Sequence, residues 1–117
     1  MEVPLIGIVG PCGSGKSTLA ANMRALGYRV KHIAQEHSYV PQMWRRLTNP
    51  DVLIFLDATY SVTTHRRNLG WTFHEYQEQQ TRLSHAREHA DLYLVTDELT
   101  PEQVRDIVIL FMDQHTA

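Results

Sequence analysis

The chain has 117 residues, of which 43% are hydrophobic and 21% are charged, a composition typical of one soluble globular domain spanning 1–117. Its formal net charge of −2 attracts neither nucleic acid nor an anionic membrane, so we expect neither as a partner. The longest apolar run, Val52–Leu56, is far too short to cross a bilayer. No signal peptide is visible, and the one cysteine excludes an internal disulfide, which together predict a cytoplasmic protein.

The first segment of the chain, Val3–Val9, is apolar, and we expect it to form a buried strand. Directly after it, residues 10–17 read Gly-Pro-Cys-Gly-Ser-Gly-Lys-Ser and match the phosphate-loop pattern G-x-x-x-x-G-K-[ST] at every fixed position. Apolar residues at 19, 20, 23 and 26 then follow the spacing of one helix face. A strand, a glycine-rich loop and a helix in this order are the context that gives the motif its meaning.

Each residue type in this motif has a physical role in binding a phosphate chain. Glycines let backbone N–H groups curl around an anion, and the N-terminus of the helix adds a favourable dipole. Lys16 supplies a positive charge to the β- and γ-phosphates, while the Ser17 hydroxyl is placed to ligate Mg²⁺. We therefore expect ATP, or another nucleoside triphosphate, and Mg²⁺ as cofactors. The expected nucleotide-binding residues are Gly10, Cys12, Gly13, Ser14, Gly15, Lys16, Ser17 and Thr18.

Strands and helices alternate through the rest of the chain. Gly27 is a suitable stop for the first helix, and a half-exposed strand is expected within 28–34. The later expected elements are a helix at 41–47, a strand at 52–56 ending in Asp57, helices at 60–68 and about 72–90, a strand at 92–95, and a last helix after a capping box at 100–103. This order predicts an α/β fold, a three-layer sandwich with a mainly parallel sheet of about four strands.

Two segments beyond the phosphate loop resemble the P-loop kinases, and within them the thymidylate and deoxynucleoside kinase branch. The first is Asn49–Asp57, a proline-aspartate pair and an apolar strand ending in leucine-aspartate, followed by a helix that carries Arg66 and Arg67. The second, residues 90–104, is similar to the last strand and helix of that family. The resemblance implies the P-loop NTPase fold and transfer of the γ-phosphoryl group to a nucleotide or nucleoside-type acceptor. Since the segments 27–49 and 68–82 are short for such a kinase, the chain resembles a pared-down member.

Phosphoryl transfer also requires a carboxylate near the metal or the nucleophile, and two residues compete for that role. Glu36-His37-Ser38 resembles the Glu-Arg-Ser element of deoxynucleoside kinases, with histidine where arginine is usual. Asp57 ends an apolar strand, as a Walker B aspartate does. We favour Glu36 and keep Asp57 as the alternative, and the expected metal ligands are Ser17, Glu36 and Asp57. Without a catalytic role, Glu36 would be a solvated loop residue and Asp57 a helix N-cap.

Cations are needed around the oxygens of the transferred group as well. Arg66, Arg67 and Arg82 are placed like the lid arginines of the family and, with Lys16, are the expected catalytic cations. Tyr39 and Trp44 lie in the one segment that is available for an acceptor pocket. An aromatic ring there would stack on a base, and core packing is the alternative.

Two further features carry open alternatives. Cys12 occupies a free position of the motif, where it is either a tolerated small residue or a redox switch. The seven histidines show no recognisable metal-binding spacing, although His85 and His89, four residues apart, either share a metal or lie on a solvated helix face.

Two classes of function follow from these residues. The first is a small-molecule kinase acting on a nucleotide or nucleoside, which the resemblance favours. The second is a nucleotide-binding or slowly hydrolysing module without an organic acceptor, which the short acceptor region favours. The sequence leaves open the identity of the acceptor, the base of the donor and the oligomeric state.

Overall fold

The structure is a computed structural model that describes residues 3–68 and 70–115. Within these ranges the elements are β1 (Leu5–Val9), α1 (Lys16–Ala25), β2 (Arg29–His32), a single 3₁₀ turn (Gln35–His37), α2 (Met43–Leu47), β3 (Val52–Asp57), α3 (Tyr60–Arg67), α4 (Phe73–Arg82), α5 (Ser84–His89), β4 (Leu92–Val95) and α6 (Pro101–His115). The four strands form one sheet in the order β2-β1-β3-β4, and every pairing is parallel. The predicted α/β class and parallel four-stranded sheet are confirmed.

Helices cover both faces of this sheet. Successive side chains of a strand point to opposite faces, and β3 shows the alternation clearly. Ile54 and Leu56 join a core cluster with residues of α1 and α6, whereas Leu53 and Phe55 join a second cluster with residues of α2 and α5. The fold is therefore an α/β sandwich in which the two central strands, β1 and β3, are buried from both sides.

The order of the strands places a crevice between β1 and β3. From β1 the chain passes through α1 to β2 on one side, and it then returns to form β3 on the other side of β1. The direction of winding changes at this point, and open parallel sheets bind ligands at the carboxyl ends of the strands where it changes. The loop 10–15 after β1 and Asp57 at the end of β3 flank this crevice.

The predicted helix at about 72–90 is wrong as a single element, because it divides into α4 and α5 at Leu83. The Ser84 hydroxyl donates to the carbonyl oxygen of Thr81 at 2.9 Å, a local hydrogen bond of the kind that bends helices. Leu83 and Ala86 are buried as predicted, but Phe73 is 51% exposed. Phe73 instead packs against Tyr76 at the surface.

The ends of two helices are fixed by reciprocal capping boxes. At the predicted box before α6, Thr100 N donates to Gln103 Oε1 at 2.8 Å, and Gln103 N donates to Thr100 Oγ1 at 3.1 Å. Thr72 and Glu75 make the same exchange at the start of α4.

None of the helices in 3–68 and 70–115 has both the length and the apolar character needed to cross a membrane.

Candidate functional site

The loop between β1 and α1 passes very close to the neighbouring elements, and two glycines make this possible. Gly10 has a φ of +154° and Gly13 a φ of +82°, conformations that favour glycine. A Cβ atom on Gly10 would lie 1.9 Å from the carbonyl oxygen of Leu56, and one on Gly13 would lie 2.9 Å from that of Thr63. The motif glycines therefore seat the loop against the end of β3 and against α3.

Lys16 is the first residue of α1, and its ammonium group lies inside the loop. Nζ donates to the carbonyl oxygens of Gly10 at 2.7 Å and of Pro11 at 3.0 Å. It also pairs with Glu36 Oε2 at 2.7 Å, and the two side chains are only 5% and 4% exposed. Because the 3₁₀ turn after β2 carries Glu36 into this position, the carboxylate is buried beside the loop rather than solvated.

Two buried side-chain oxygens at the site have no hydrogen-bond partner in the described part of the chain, Ser14 Oγ and Glu36 Oε1. Such atoms are rare in folded proteins, since an unsatisfied buried polar group costs about 1–3 kcal/mol. Carboxylate and hydroxyl oxygens are ligands that suit Mg²⁺. The residues present at the loop therefore fit a magnesium-bound phosphate group, because their unpartnered oxygen atoms are free to accept a hydrogen bond or to bind a cation.

A cavity of about 490 Å³ opens in front of the loop, within the range of roughly 300–1,000 Å³ that small-molecule sites occupy. Loop and helix residues 12–18, among them Ser17 and Thr18, form one wall. His32, Glu36 and His37 from the segment after α1, and Arg66, Arg67 and Thr96 from later segments, also line the cavity. Burial and the nearby Lys16 ammonium lower the pKa of His32, so its imidazole favours the neutral form.

The three predicted arginines differ in their placement. Arg66 donates to Thr96 Oγ1 at 2.8 Å and to the Thr96 carbonyl oxygen, and it reaches the Gly13 carbonyl oxygen at 3.4 Å. Arg67 lies next to it on α3 and also lines the cavity. Arg82 lies behind the site, where it donates to the Glu36 carbonyl oxygen at 3.3 Å. The structure thus brings Arg66 and Arg67, but not Arg82, to the cavity.

Three neutral donors hold the Asp57 carboxylate at the end of β3. Oδ1 accepts from Ala58 N at 2.9 Å and from Gln80 Nε2 at 2.9 Å, and Oδ2 accepts from the Tyr93 hydroxyl at 2.5 Å. Burial of the phenol and this hydrogen bond raise the pKa of Tyr93 to about 12. Asp57 does not line the cavity, and its role as a metal ligand stays a prediction. Helix α3 begins after Thr59, so Asp57 is not its N-cap.

The two aromatic residues of the acceptor segment lie apart. Trp44 is buried in the core cluster beneath α2, and its Nε1 donates to His85 Nδ1 at 3.1 Å. Tyr39 is 85% exposed, with the Arg82 guanidinium over its ring. Trp44 therefore follows the core-packing alternative.

A depression of about 260 Å³ between β2 and α2 shares His32 with the main cavity.

Two residues that the sequence did not single out hold the loop in place. Gln79 on α4 accepts from Cys12 N at 3.0 Å and donates to Cys12 Sγ at 3.3 Å. Thr96, directly after β4, donates from Oγ1 to the Ser14 carbonyl oxygen at 2.9 Å. A polar residue at the carboxyl end of a parallel strand is a usable signal for Thr96. Nothing in the pattern distinguishes Gln79 from the neighbouring glutamines.

Comparison with known proteins adds no relative: no protein-family model matches the chain, and no curated protein matches it closely enough to be counted. The geometry of the residues around the loop is therefore the basis for assigning a function.

Proposed function

We propose that this chain is a small P-loop kinase. In this proposal it binds ATP, or another nucleoside triphosphate, with Mg²⁺ and transfers the γ-phosphoryl group to a nucleotide or nucleoside-type acceptor. The observation that carries the proposal is the contact between Lys16 and Glu36, 2.7 Å apart in the wall of the loop cavity. Phosphoryl transfer uses a phosphate-binding cation and a carboxylate, and both lie here at the same edge of the sheet.

The proposed nucleotide site uses the backbone of 10–15 and the first turn of α1. Backbone N–H groups of the loop and the N-terminal end of the helix bind the phosphate oxygens, while Lys16 neutralises their charge. Ser17 and Glu36 are the residues that would hold Mg²⁺, which when bound neutralises charge on the phosphates. The position of the loop at the switch between β1 and β3 supports this assignment.

The proposed chemistry uses Glu36 on the acceptor. With a nucleoside acceptor, the hydroxyl oxygen bonds to the γ-phosphorus as the bond to the leaving nucleoside diphosphate breaks, and the hydroxyl gives its proton to the carboxylate. A nucleoside monophosphate attacks through an ionised phosphate oxygen, which has no proton to give. Arg66, which Thr96 and Gly13 hold in place, and Arg67 neutralise charge on the transferred oxygens. The acceptor is placed in the depression between β2 and α2, which shares His32 with the cavity that Glu36 lines.

A second candidate function is a nucleotide-binding or slowly hydrolysing module without an organic acceptor. It is favoured by the burial of Trp44 in the core and by the exposure of Tyr39, because neither ring then lines a base-binding pocket. In this case water takes the place of the acceptor hydroxyl.

An ATP turnover assay with Mg²⁺ and a panel of nucleosides and nucleoside monophosphates separates the two candidates. The kinase produces ADP faster with one class of acceptor, and ³¹P NMR detects the phosphorylated acceptor. Glu36→Gln abolishes that product. Equal ADP formation with and without every acceptor supports the hydrolysing module instead, and no ADP under any condition contradicts both enzymatic functions.

A further inference from the structure

Three potential metal ligands from two loops meet at the mouth of the cavity. Cys12 Sγ lies 3.6 Å from His37 Nε2 and 4.0 Å from Glu36 Oε2. The distance from His37 Nε2 to Glu36 Oε2 is 3.9 Å. A thiol, an imidazole and a carboxylate thus form a nearly equilateral triangle of ligand atoms within 4.8 Å of one another.

The size of this triangle fits one face of a zinc coordination tetrahedron. Bonds of about 2.3 Å to sulfur and about 2.0–2.2 Å to nitrogen and oxygen, at tetrahedral angles, separate the ligand atoms by roughly 3.3–3.6 Å. The observed separations of 3.6, 4.0 and 3.9 Å exceed these by no more than about half an ångström. Small side-chain rotations therefore bring all three atoms onto one ion.

Two features of the three residues support the binding of a cation, while the Lys16 ammonium, 2.7 Å from Glu36 Oε2, opposes it. Glu36 Oε1 is buried without a hydrogen-bond partner in the described chain, so the carboxylate has unused capacity. Gln79 Nε2 donates to Cys12 Sγ at 3.3 Å, which holds the sulfur in place. All three side chains also line the main cavity, which gives an ion access to them.

The donor set selects zinc over magnesium. Thiolate sulfur and imidazole nitrogen are preferred by Zn²⁺, whereas Mg²⁺ prefers oxygen ligands and binds sulfur poorly. A site that includes Cys12 and His37 is therefore different in kind from the proposed magnesium site, although both use Glu36.

We propose that Cys12, Glu36 and His37 form a Zn²⁺ site at the mouth of the phosphate loop, and that zinc and the magnesium nucleotide exclude each other. On binding, the Cys12 thiol releases its proton to solvent and its sulfur bonds to the ion. Glu36 Oε2 then bonds to the zinc ion and no longer neutralises Lys16. The zinc ion and the Lys16 ammonium group, both positively charged, therefore lie side by side. The exclusion rests on the proposed function, because the ion bonds to Cys12 of the loop and lies beside Lys16, where the nucleotide phosphates would bind. Zinc binding itself does not rest on that function.

Cobalt(II) spectroscopy of the reduced, nucleotide-free protein tests the site without any nucleotide. Because Cys12 is the one cysteine of the chain, a thiolate-to-cobalt charge-transfer band reports this residue alone. We expect the band, tetrahedral d–d absorption, one ion per chain, and displacement of cobalt by Zn²⁺. No band, or one ion for every two chains, overturns the site.

Three variants and a matched control refine this test. Cys12→Ser abolishes the charge-transfer band, and His37→Gln and Glu36→Gln weaken cobalt binding by at least about tenfold. The His37 side chain is 60% exposed, so His37→Gln is expected to fold like the parent. His89→Gln, on α5, removes a histidine outside the cluster and leaves the spectrum unchanged. Wild-type affinity in His37→Gln overturns the site.

A second measurement tests the exclusion. Nucleotide affinity is measured with free Zn²⁺ fixed by a chelator buffer at ten times its dissociation constant, where competition weakens apparent affinity by about tenfold. We expect this loss in the wild type and a much smaller one in His37→Gln. Equal losses, or none, overturn the exclusion. If no nucleotide binds even without zinc, the proposed function fails and the exclusion with it, while the cobalt spectrum still decides the zinc site.

Discussion

Lys16 and Glu36 form a buried ion pair, with Nζ 2.7 Å from Oε2 and with 5% and 4% of the side chains exposed. The lysine begins α1 and the glutamate follows β2, so the pair links the loop 10–15 to the segment after β2. Removing one partner of a buried pair leaves the other charge unpaired, typically at a cost of about 3–5 kcal/mol. A single substitution at either residue should therefore destabilise the protein, whereas the intact pair adds no net charge to the cavity.

The first prediction ranks the two carboxylates. Glu36→Gln keeps the shape of the side chain and deletes its charge, so turnover should collapse while nucleotide binding largely persists. Asp57→Asn should reduce turnover less, since Asp57 contacts Gln80 and Tyr93 rather than the cavity. Steady-state kinetics of both variants decide the order, and a greater loss of rate in Asp57→Asn reverses the assignment.

The second prediction concerns the cations. At least one of Arg66→Ala, Arg67→Ala and Arg82→Ala should lower turnover by about tenfold or more, a cautious bound for an arginine that stabilises a phosphoryl-transfer transition state. Nucleotide affinity should change much less, because such a contribution is differential. Arg66 and Arg67 line the cavity, so we expect the larger losses there.

Arg105→Ala is the matched control for the arginine series, since Arg105 pairs with Asp106 on α6 and does not line the cavity. Turnover and affinity should equal those of the parent. If all three site variants also turn over ATP like the parent, the kinase proposal loses its support outside the loop, and the binding module becomes the better account.

The third prediction assigns Trp44 to the core. Trp44→Ala should lower the free energy of unfolding by about 3–5 kcal/mol, as truncation of a buried aromatic side chain does. Tyr39→Ala, at an 85% exposed position, should change it by no more than about 0.5 kcal/mol. Urea unfolding followed by circular dichroism measures both, and a cost below about 1 kcal/mol for Trp44→Ala contradicts its placement.

Much of the fold was accessible from the sequence, because its strands are simple apolar runs. The predicted strand at 92–95 coincides with β4, and the run at 52–56 becomes β3 with Asp57 added. The helix predicted from hydrophobic periodicity at about 72–90 was wrong where side-chain contacts overrode the pattern. Phe73 fits a helical stripe but lies in a surface group of aromatic rings with Tyr60 and Tyr76, and the Ser84 hydroxyl interrupts the long helix.

The site was accessible in a different way. The phosphate-loop pattern is contiguous, so its residues could be identified without the fold. The burial of Glu36 could not, since Gln35, Glu36 and His37 form a polar stretch with the composition of an exposed loop. Its burial follows from the 3₁₀ turn and from Lys16, which lies 20 residues earlier in the chain. The contacts of Gln79 and Thr96 with the loop likewise depend on packing between distant segments.

The fourth prediction is a loss of stability at high pH. The Tyr93 phenol has a pKa of about 12 in the folded protein, against about 10 for an unperturbed tyrosine. Between these values the unfolded chain loses the proton and the native state keeps it, so stability is full below about pH 10 and falls toward about pH 12. The free energy of unfolding should fall more steeply in the wild type than in Tyr93→Phe. Parallel curves contradict this.

The central claim is that the loop 10–17 binds a nucleoside triphosphate through Lys16. Removing the lysine deletes a charge-assisted contact worth about 1.5–3 kcal/mol and should weaken ATP affinity by roughly ten- to a hundredfold. Lys16→Ala leaves the buried Glu36 carboxylate without its partner. We therefore also compare the double variant Lys16→Ala/Glu36→Gln with Glu36→Gln, because this pair differs only at Lys16 and neither variant has the Glu36 charge. Circular dichroism verifies that each variant is folded.

The most direct measurement is therefore a calorimetric titration with ATP and Mg²⁺ of four proteins: the wild type, Lys16→Ala, Glu36→Gln and the double variant Lys16→Ala/Glu36→Gln. We expect the wild type to bind one nucleotide per chain, and the affinity to fall roughly ten- to a hundredfold whenever Lys16 is removed. Unchanged affinity in a folded protein that lacks Lys16, or no binding to the wild type, contradicts the central claim.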